Sequence, residues 1–116
     1  MPGKLPILDR KIFGALCDNV GEAAAARLTE SLKAEIRVNG KKMCAFADSA
    51  DMGSLETLAH GLKSAVRSFG ALKLGGVCAL LEENARSEQD AGQIGKQLVL
   101  FKAAAADTIA ALEKRE

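Results

Sequence analysis

Apolar positions recur along most of this chain at steps of three, four and seven, the spacing that stacks side chains on one face of an α-helix. From a capping residue at Asp9, Ile12, Phe13, Leu16 and Val20 form one stripe, and Gly21 closes this short helix. A longer stripe from Glu22 to about Ser49 carries Ala25, Leu28, Leu32, Ile36, Met43 and Phe46. Within it, Asn39-Gly40 is a hairpin-turn signal that follows the strand-compatible Ile36-Arg37-Val38. The helical stripe continues on both sides of the pair, however, and a lone two-stranded hairpin is marginal. One helix with a weak point at Asn39-Gly40 is therefore the favoured reading.

Asp48, Ser49, Asp51 and Gly53 mark a turn, and Ser54 or Asp51 can cap a third helix that stops at Gly70. A fourth segment, from about Ala71 to Ala85, groups Leu74, Val77, Cys78 and Leu81. Its Gly75-Gly76 pair weakens the helix by about 1 kcal/mol per glycine relative to alanine, a cost that close approach of a neighbouring helix would offset. After the polar break Arg86-Ser87-Glu88-Gln89-Asp90, a last helix places Ile94, Leu98, Phe101, Ala105, Thr108 or Ile109, and Leu112 along one seam. No strand pattern survives. Five helical segments joined by short polar turns predict an all-α, antiparallel up-and-down bundle.

With 116 residues the chain fits one domain, 1–116, in which residues 1–8, containing both prolines, are expected to form a loose leading segment. Sixteen basic and fifteen acidic side chains leave a net charge of +1, so no global field recommends nucleic acid or an anionic membrane as a partner. No apolar stretch approaches a membrane span and the first ten residues lack a signal-peptide core, which points to a cytoplasmic protein. Cys17, Cys44 and Cys78 fall in apolar helical patterns without a CxxC pair and read as reduced, buried thiols. No GxxxxGK[ST] phosphate loop is present. One histidine with scattered cysteines makes no zinc constellation, and a solid bundle rarely offers the pocket that a Ser-His-Asp hydrolase needs.

That one histidine, His60, carries the candidate chemistry. On a helical wheel centred on Leu62, the residues Leu55, Leu58, Ala59, Ala65, Val66 and Phe69 lie within roughly 60°, whereas His60 lies about 160° away. The imidazole is predicted to face water, with Lys63, Ser64 and Arg67 following at i+3, i+4 and i+7. A nucleophilic nitrogen on a rigid helix, open to a docking partner and flanked by cations, suits a transferable phosphoryl group.

The run Ala59-His60-Gly61-Leu62-Lys63-Ser64, followed by Phe69-Gly70-Ala71 and later Leu81-Glu82, resembles the signature of the histidine-containing phosphotransfer (HPt) domain. Serine stands at position 64 where that signature most often has glycine. The resemblance covers nearly the whole chain, and it implies a four-helix bundle core with an additional short N-terminal helix. It also implies a phosphoacceptor at His60, a phosphoryl-stabilising cation at Lys63, and a small residue at Ser64 that lets a partner approach. Arg67, two turns on, is a further binding candidate that the signature does not require.

The function so implied is that of a phosphocarrier in a two-component phosphorelay, without kinase activity of its own. It would take a phosphoryl group from one receiver domain's aspartate and pass it to another. Its partners would be response-regulator receiver domains and a hybrid histidine kinase, with Mg²⁺ bound by the receiver and no cofactor by this chain, and it would act as a monomer. The alternative is a non-catalytic helical adaptor that binds receiver or kinase domains without carrying phosphate.

Overall fold

Each of the expected helices has a physical start and stop in the computed structural model, which describes residues 4–87 and 91–114. Asp9 caps α1 (Arg10–Val20) by accepting hydrogen bonds from the backbone N–H groups of Lys11 and Ile12, and Gly21 at φ 89° closes it. The second helix, α2 (Glu22–Asp48), runs without a break through Asn39-Gly40. Gly40 serves packing and not a turn: a Cβ there would stand 2.9 Å from the Phe101 ring. The chain turns through Ala50 at φ 59°, and Asp51 then caps α3 (Met52–Ser68) through the N–H of Ser54. Ser54 returns a second bond, from its hydroxyl to the other Asp51 oxygen. The bundle is completed by α4 (Leu72–Ser87) and α5 (Ala91–Glu113).

Helices α2 to α5 pack in a ring, α2 on α3, α3 on α4, α4 on α5 and α5 back on α2, while α1 lies against α2. The Lys33–Glu113 ion pair and the Gly40–Phe101 contact fix α2 and α5 as antiparallel. This is the antiparallel up-and-down four-helix bundle with an added short N-terminal helix. Leu32, Ile36, Met43, Leu55, Leu62, Leu74, Leu81, Ile94 and Leu112 are almost completely buried, so the core is aliphatic. The tightest seam joins α3 to α4. There Gly75 and Gly76 are buried, and a Cβ on Gly75 would meet the Arg67 stem at 2.8 Å, which is the close approach that offsets two helix glycines. No helix among the described residues is long and apolar enough to cross a membrane.

Four expectations need correction. The predicted stripe of α1 narrows to Phe13, with Ile12 and Val20 more than a third exposed, because a helix set against one flank of a bundle buries only a narrow face. Leu28 is exposed for a related reason: Thr29 takes the inward position, its hydroxyl donating to the Ala25 carbonyl. Residues 6–8 are not loose. The Lys73 N–H donates to the Pro6 carbonyl and Leu8 enters the core, so this segment seals the α3–α4 corner. Finally, Arg86 and Ser87 extend α4 instead of breaking it, because Arg86 pairs with Glu82 and Glu83 one turn back. The remainder of that expected break, Glu88-Gln89-Asp90, lies outside the described residues.

Gly70 joins these elements. Its φ of 89° ends α3, its carbonyl accepts the Asp9 N–H at 2.8 Å, and an added Cβ would stand 2.8 Å from the Asp9 carbonyl oxygen. Gly70→Ala therefore combines left-handed strain with a backbone clash. Chemical denaturation of this variant is expected to show a loss of about 2 kcal/mol or more.

Candidate functional site

The site is assembled on the α3–α4 seam. Ala59, Leu62 and Val66 turn the inner face of α3 into the core, and the helical repeat then carries His60 outward, its side chain 62% exposed. The ring is not free on both sides, however. Nδ1 lies 2.8 Å from Glu82 Oε2 on α4, and Glu82 is itself only 7% exposed. Glu82 occupies a buried position because it follows Cys78 by one turn on the α4 face that packs against α3.

A buried carboxylate requires compensation, and three groups supply it. Lys63 Nζ stands 2.6 Å from Glu82 Oε1; among the described residues that oxygen has no aligned hydrogen-bond donor and is held by the ion pair instead. Arg86 donates from Nη2 to Oε2 at 2.9 Å, and the His60 ring shares the same oxygen. The Lys63 ammonium holds the Glu82 carboxyl below the usual carboxylate range, against the burial that pushes it up, and His60 adds to the lowering. Arg86 also reaches Glu56 Oε2 at 3.0 Å and Glu83 Oε1 at 3.1 Å, tying α4 to the turn of α3 that precedes His60.

This network decides the chemistry of the ring. An ionised carboxylate can only accept, so Nδ1 must carry the proton that it shares with Glu82. In the neutral ring Nε2 is then left with its lone pair, on a side chain that is mostly exposed. Around it the surface is low: a Cβ on Gly61 would meet nothing within 4 Å, and Ser64 is exposed with a short side chain. A flat apron beside an unprotonated ring nitrogen is what an incoming electrophile on another protein needs.

The sequence-derived candidates are therefore placed unevenly. His60, Ser64 and Arg67 share the exposed face of α3. Lys63 is mostly covered, and its ammonium is engaged by Glu82. The stem of Arg67 lies across Gly75 of α4, two turns from the imidazole. What sequence reasoning missed is the supporting set Glu82, Arg86 and Glu56. The signal was present, because Glu82 falls among Val77, Cys78, Leu81 and Ala85 on the buried face of α4, where an unpartnered carboxylate would be costly. Cys78, just beneath, is buried, and burial pushes its thiol up to about 12 despite Arg67 and Lys63, so it is no nucleophile. Cys17 and Cys44 are free and only half-buried, less enclosed than expected. Among the described residues, no group of three His, Cys, Asp or Glu side chains is arranged to hold a metal.

The profile of the Hpt domain matches residues 23–114, which spans all four bundle helices and His60. The chain belongs to the Hpt domain family. The fold agrees with that of histidine-containing phosphotransfer protein B (HptB) from Pseudomonas aeruginosa PAO1, with a TM-score of 0.86 at 22% sequence identity over 94% of this chain and 93% of that one. No curated protein sequence matches the chain. The shared fold accounts for the ring of helices.

The Glu82 network has a measurable pH signature. A carboxyl with a depressed folded-state pKa stabilises the fold fully above its unfolded value near 4.5 and loses that contribution as the pH falls through the lower folded value. Glu82→Gln is expected to lower unfolding free energy by about 1–3 kcal/mol at pH 7. In urea titrations the gap between variant and wild type should narrow progressively as the pH is taken below 4.5.

Proposed function

We propose that this Hpt protein is a phosphocarrier of a two-component phosphorelay, with His60 as the residue that carries the phosphoryl group. The observation that supports this most directly is the Nδ1–Glu82 bond of 2.8 Å beneath a ring that is 62% exposed. With Nδ1 protonated, the Nε2 lone pair attacks the phosphorus of a receiver's aspartyl phosphate. The N–P bond forms as the acyl O–P bond breaks, and the electron pair leaves with the aspartate carboxylate. Positive charge grows on the imidazole as this happens, and Glu82, already ionised, faces it across the shared proton.

Transfer to a second receiver runs the same step in reverse, since nothing in the chain consumes the phosphoryl group. The chain supplies a positioned nucleophile, whereas the receiver supplies the aspartate and the Mg²⁺ that neutralises the phosphoryl oxygens. The carrier is loaded by a separate kinase, of which a hybrid histidine kinase is the expected form.

Lys63 serves first as the counter-ion of Glu82 and, once an anionic phosphoryl group arrives, as a cation within one turn of it. Ser64 and Gly61 leave room for the rim of the receiver's acidic pocket, and Arg67 extends the same face with positive charge. The carrier works as a monomer, since transient docking requires this face to be open.

Incubation with a ³²P-labelled receiver and Mg²⁺ is expected to give acid-labile, base-stable label on wild type and none on His60→Gln. Absence of label on wild type across the receivers of the source organism would support a non-catalytic adaptor, and label persisting on His60→Gln would remove the acceptor role. Ser64→Leu, an exposed change that leaves the core intact, is expected to lower kcat/KM for transfer at least tenfold with no loss of thermal stability.

A further inference from the structure

The seam diagonally across the ring from His60 carries a second feature. Between α2 and α5 lies a groove of about 500 Å³ with Ile36, Cys44, Phe101, Ala105 and Ile109 as its apolar lining. On one side Gly40 lets the Phe101 ring lie directly against the α2 backbone, since a Cβ there would stand 2.9 Å from that ring. Three cations, Arg37, Lys41 and Lys102, rim the groove, and its lining contains no acidic residue. None of the three enters an ion pair with another described residue, in contrast to Lys33 one turn below, which is paired with both Glu30 and Glu113.

An apolar trough edged by unneutralised cations selects a partner that is apolar on one face and anionic beside it. Arg37 to Cys44 spans about 10 Å of α2, and Phe101 to Ile109 spans about 12 Å of α5, the length of roughly two helical turns. That dimension accommodates apolar anchors at i, i+3 or i+4, and i+7 of a short helix.

We propose that the α2–α5 groove is a docking site for an acidic amphipathic helix of a partner protein, one whose Asp or Glu residues flank the apolar anchors. Because α2 and α5 close the ring on the side away from the α3–α4 seam, this site and His60 can be occupied together. The groove thus holds a partner to the carrier while the histidine face exchanges phosphate with a receiver. Occupancy depends on charge and is expected to weaken steeply with salt.

The test uses the full-length chain and a designed 14-residue helical peptide with leucines at the anchor spacing and glutamates elsewhere, beside a control in which every glutamate is lysine. Amide shifts in ¹H–¹⁵N spectra are expected to move with the acidic peptide around Arg37, Lys41, Cys44, Lys102 and Ile109, and to stay in place around His60. Binding should weaken at least tenfold in a Lys41→Glu, Lys102→Glu double variant, whose circular dichroism and thermal midpoint report that it is folded. Phosphotransfer to His60 is expected to continue with the peptide bound and in the double variant, so failure of this docking site is distinguishable from failure of the carrier reading. Equal binding of the lysine control, or shifts confined to the His60 face, would overturn the proposal. So would charge-dependent binding to phosphatidylglycerol vesicles without binding of the peptide, or a concentration-dependent dimer that buries the groove.

Discussion

A carboxylate buried between two helices governs what this bundle can do. Glu82 comes to rest under the α3–α4 seam because α4 presents its apolar face there, and once in place it must be matched by charge from above. Lys63, Arg86 and His60 converge on it from two helices, and each gains a fixed position in return. The histidine gains most. A ring that would otherwise swing on an exposed helix face is held by one nitrogen, and the proton on that nitrogen leaves the opposite one available. Orientation and tautomer thus follow from a single contact whose cause is the packing of a core.

The remainder of the fold serves the rigidity of that seam. Gly75 lets α3 and α4 approach until the Arg67 stem rests on the α4 backbone, and Gly70 lets the chain reverse between them while its carbonyl holds the segment that precedes α1. Arg86 extends the tie to Glu56, upstream of the histidine on α3. The His60 ring is therefore supported from below and along its own helix, and the side facing solvent is kept low by Gly61 and Ser64. A carrier that hands a group between partners needs this asymmetry: a fixed ring on one side and an uncluttered approach on the other.

Much of this was legible in the residues. The three- and four-residue spacing gave five helices with nearly correct ends, and the angular position of His60 relative to Leu62 and Val66 placed it outside. Local rules succeed where a cap or a stripe decides the outcome, as at Asp9, Asp51 and Gly70. They were less informative where a distant partner decides. Asn39-Gly40 read as a weak point in one continuous helix, and the reason for the glycine, the Phe101 ring that occupies the space its missing side chain leaves, lies some sixty positions on. Arg86 read as part of a break although Glu82 and Glu83 stand one turn back on its own helix; only its pair with Glu56, on α3, depends on the fold. Lys63 read as a free cation because its counter-ion is nineteen residues away in sequence and adjacent in space. Glu82 was quoted only as part of a signature, yet its place on a buried stripe already marked it as a charge in need of partners.

The central claim is that Glu82 holds the proton on Nδ1 of His60 and so exposes an unprotonated Nε2. Long-range ¹H–¹⁵N correlation spectra of the His60 ring at pH 8 measure this directly. The account predicts a protonated Nδ1 and a bare Nε2 in the wild type, with the preference weakened in Glu82→Gln. A ring that carries its proton on Nε2, or one whose tautomer is indifferent to Glu82, would contradict it.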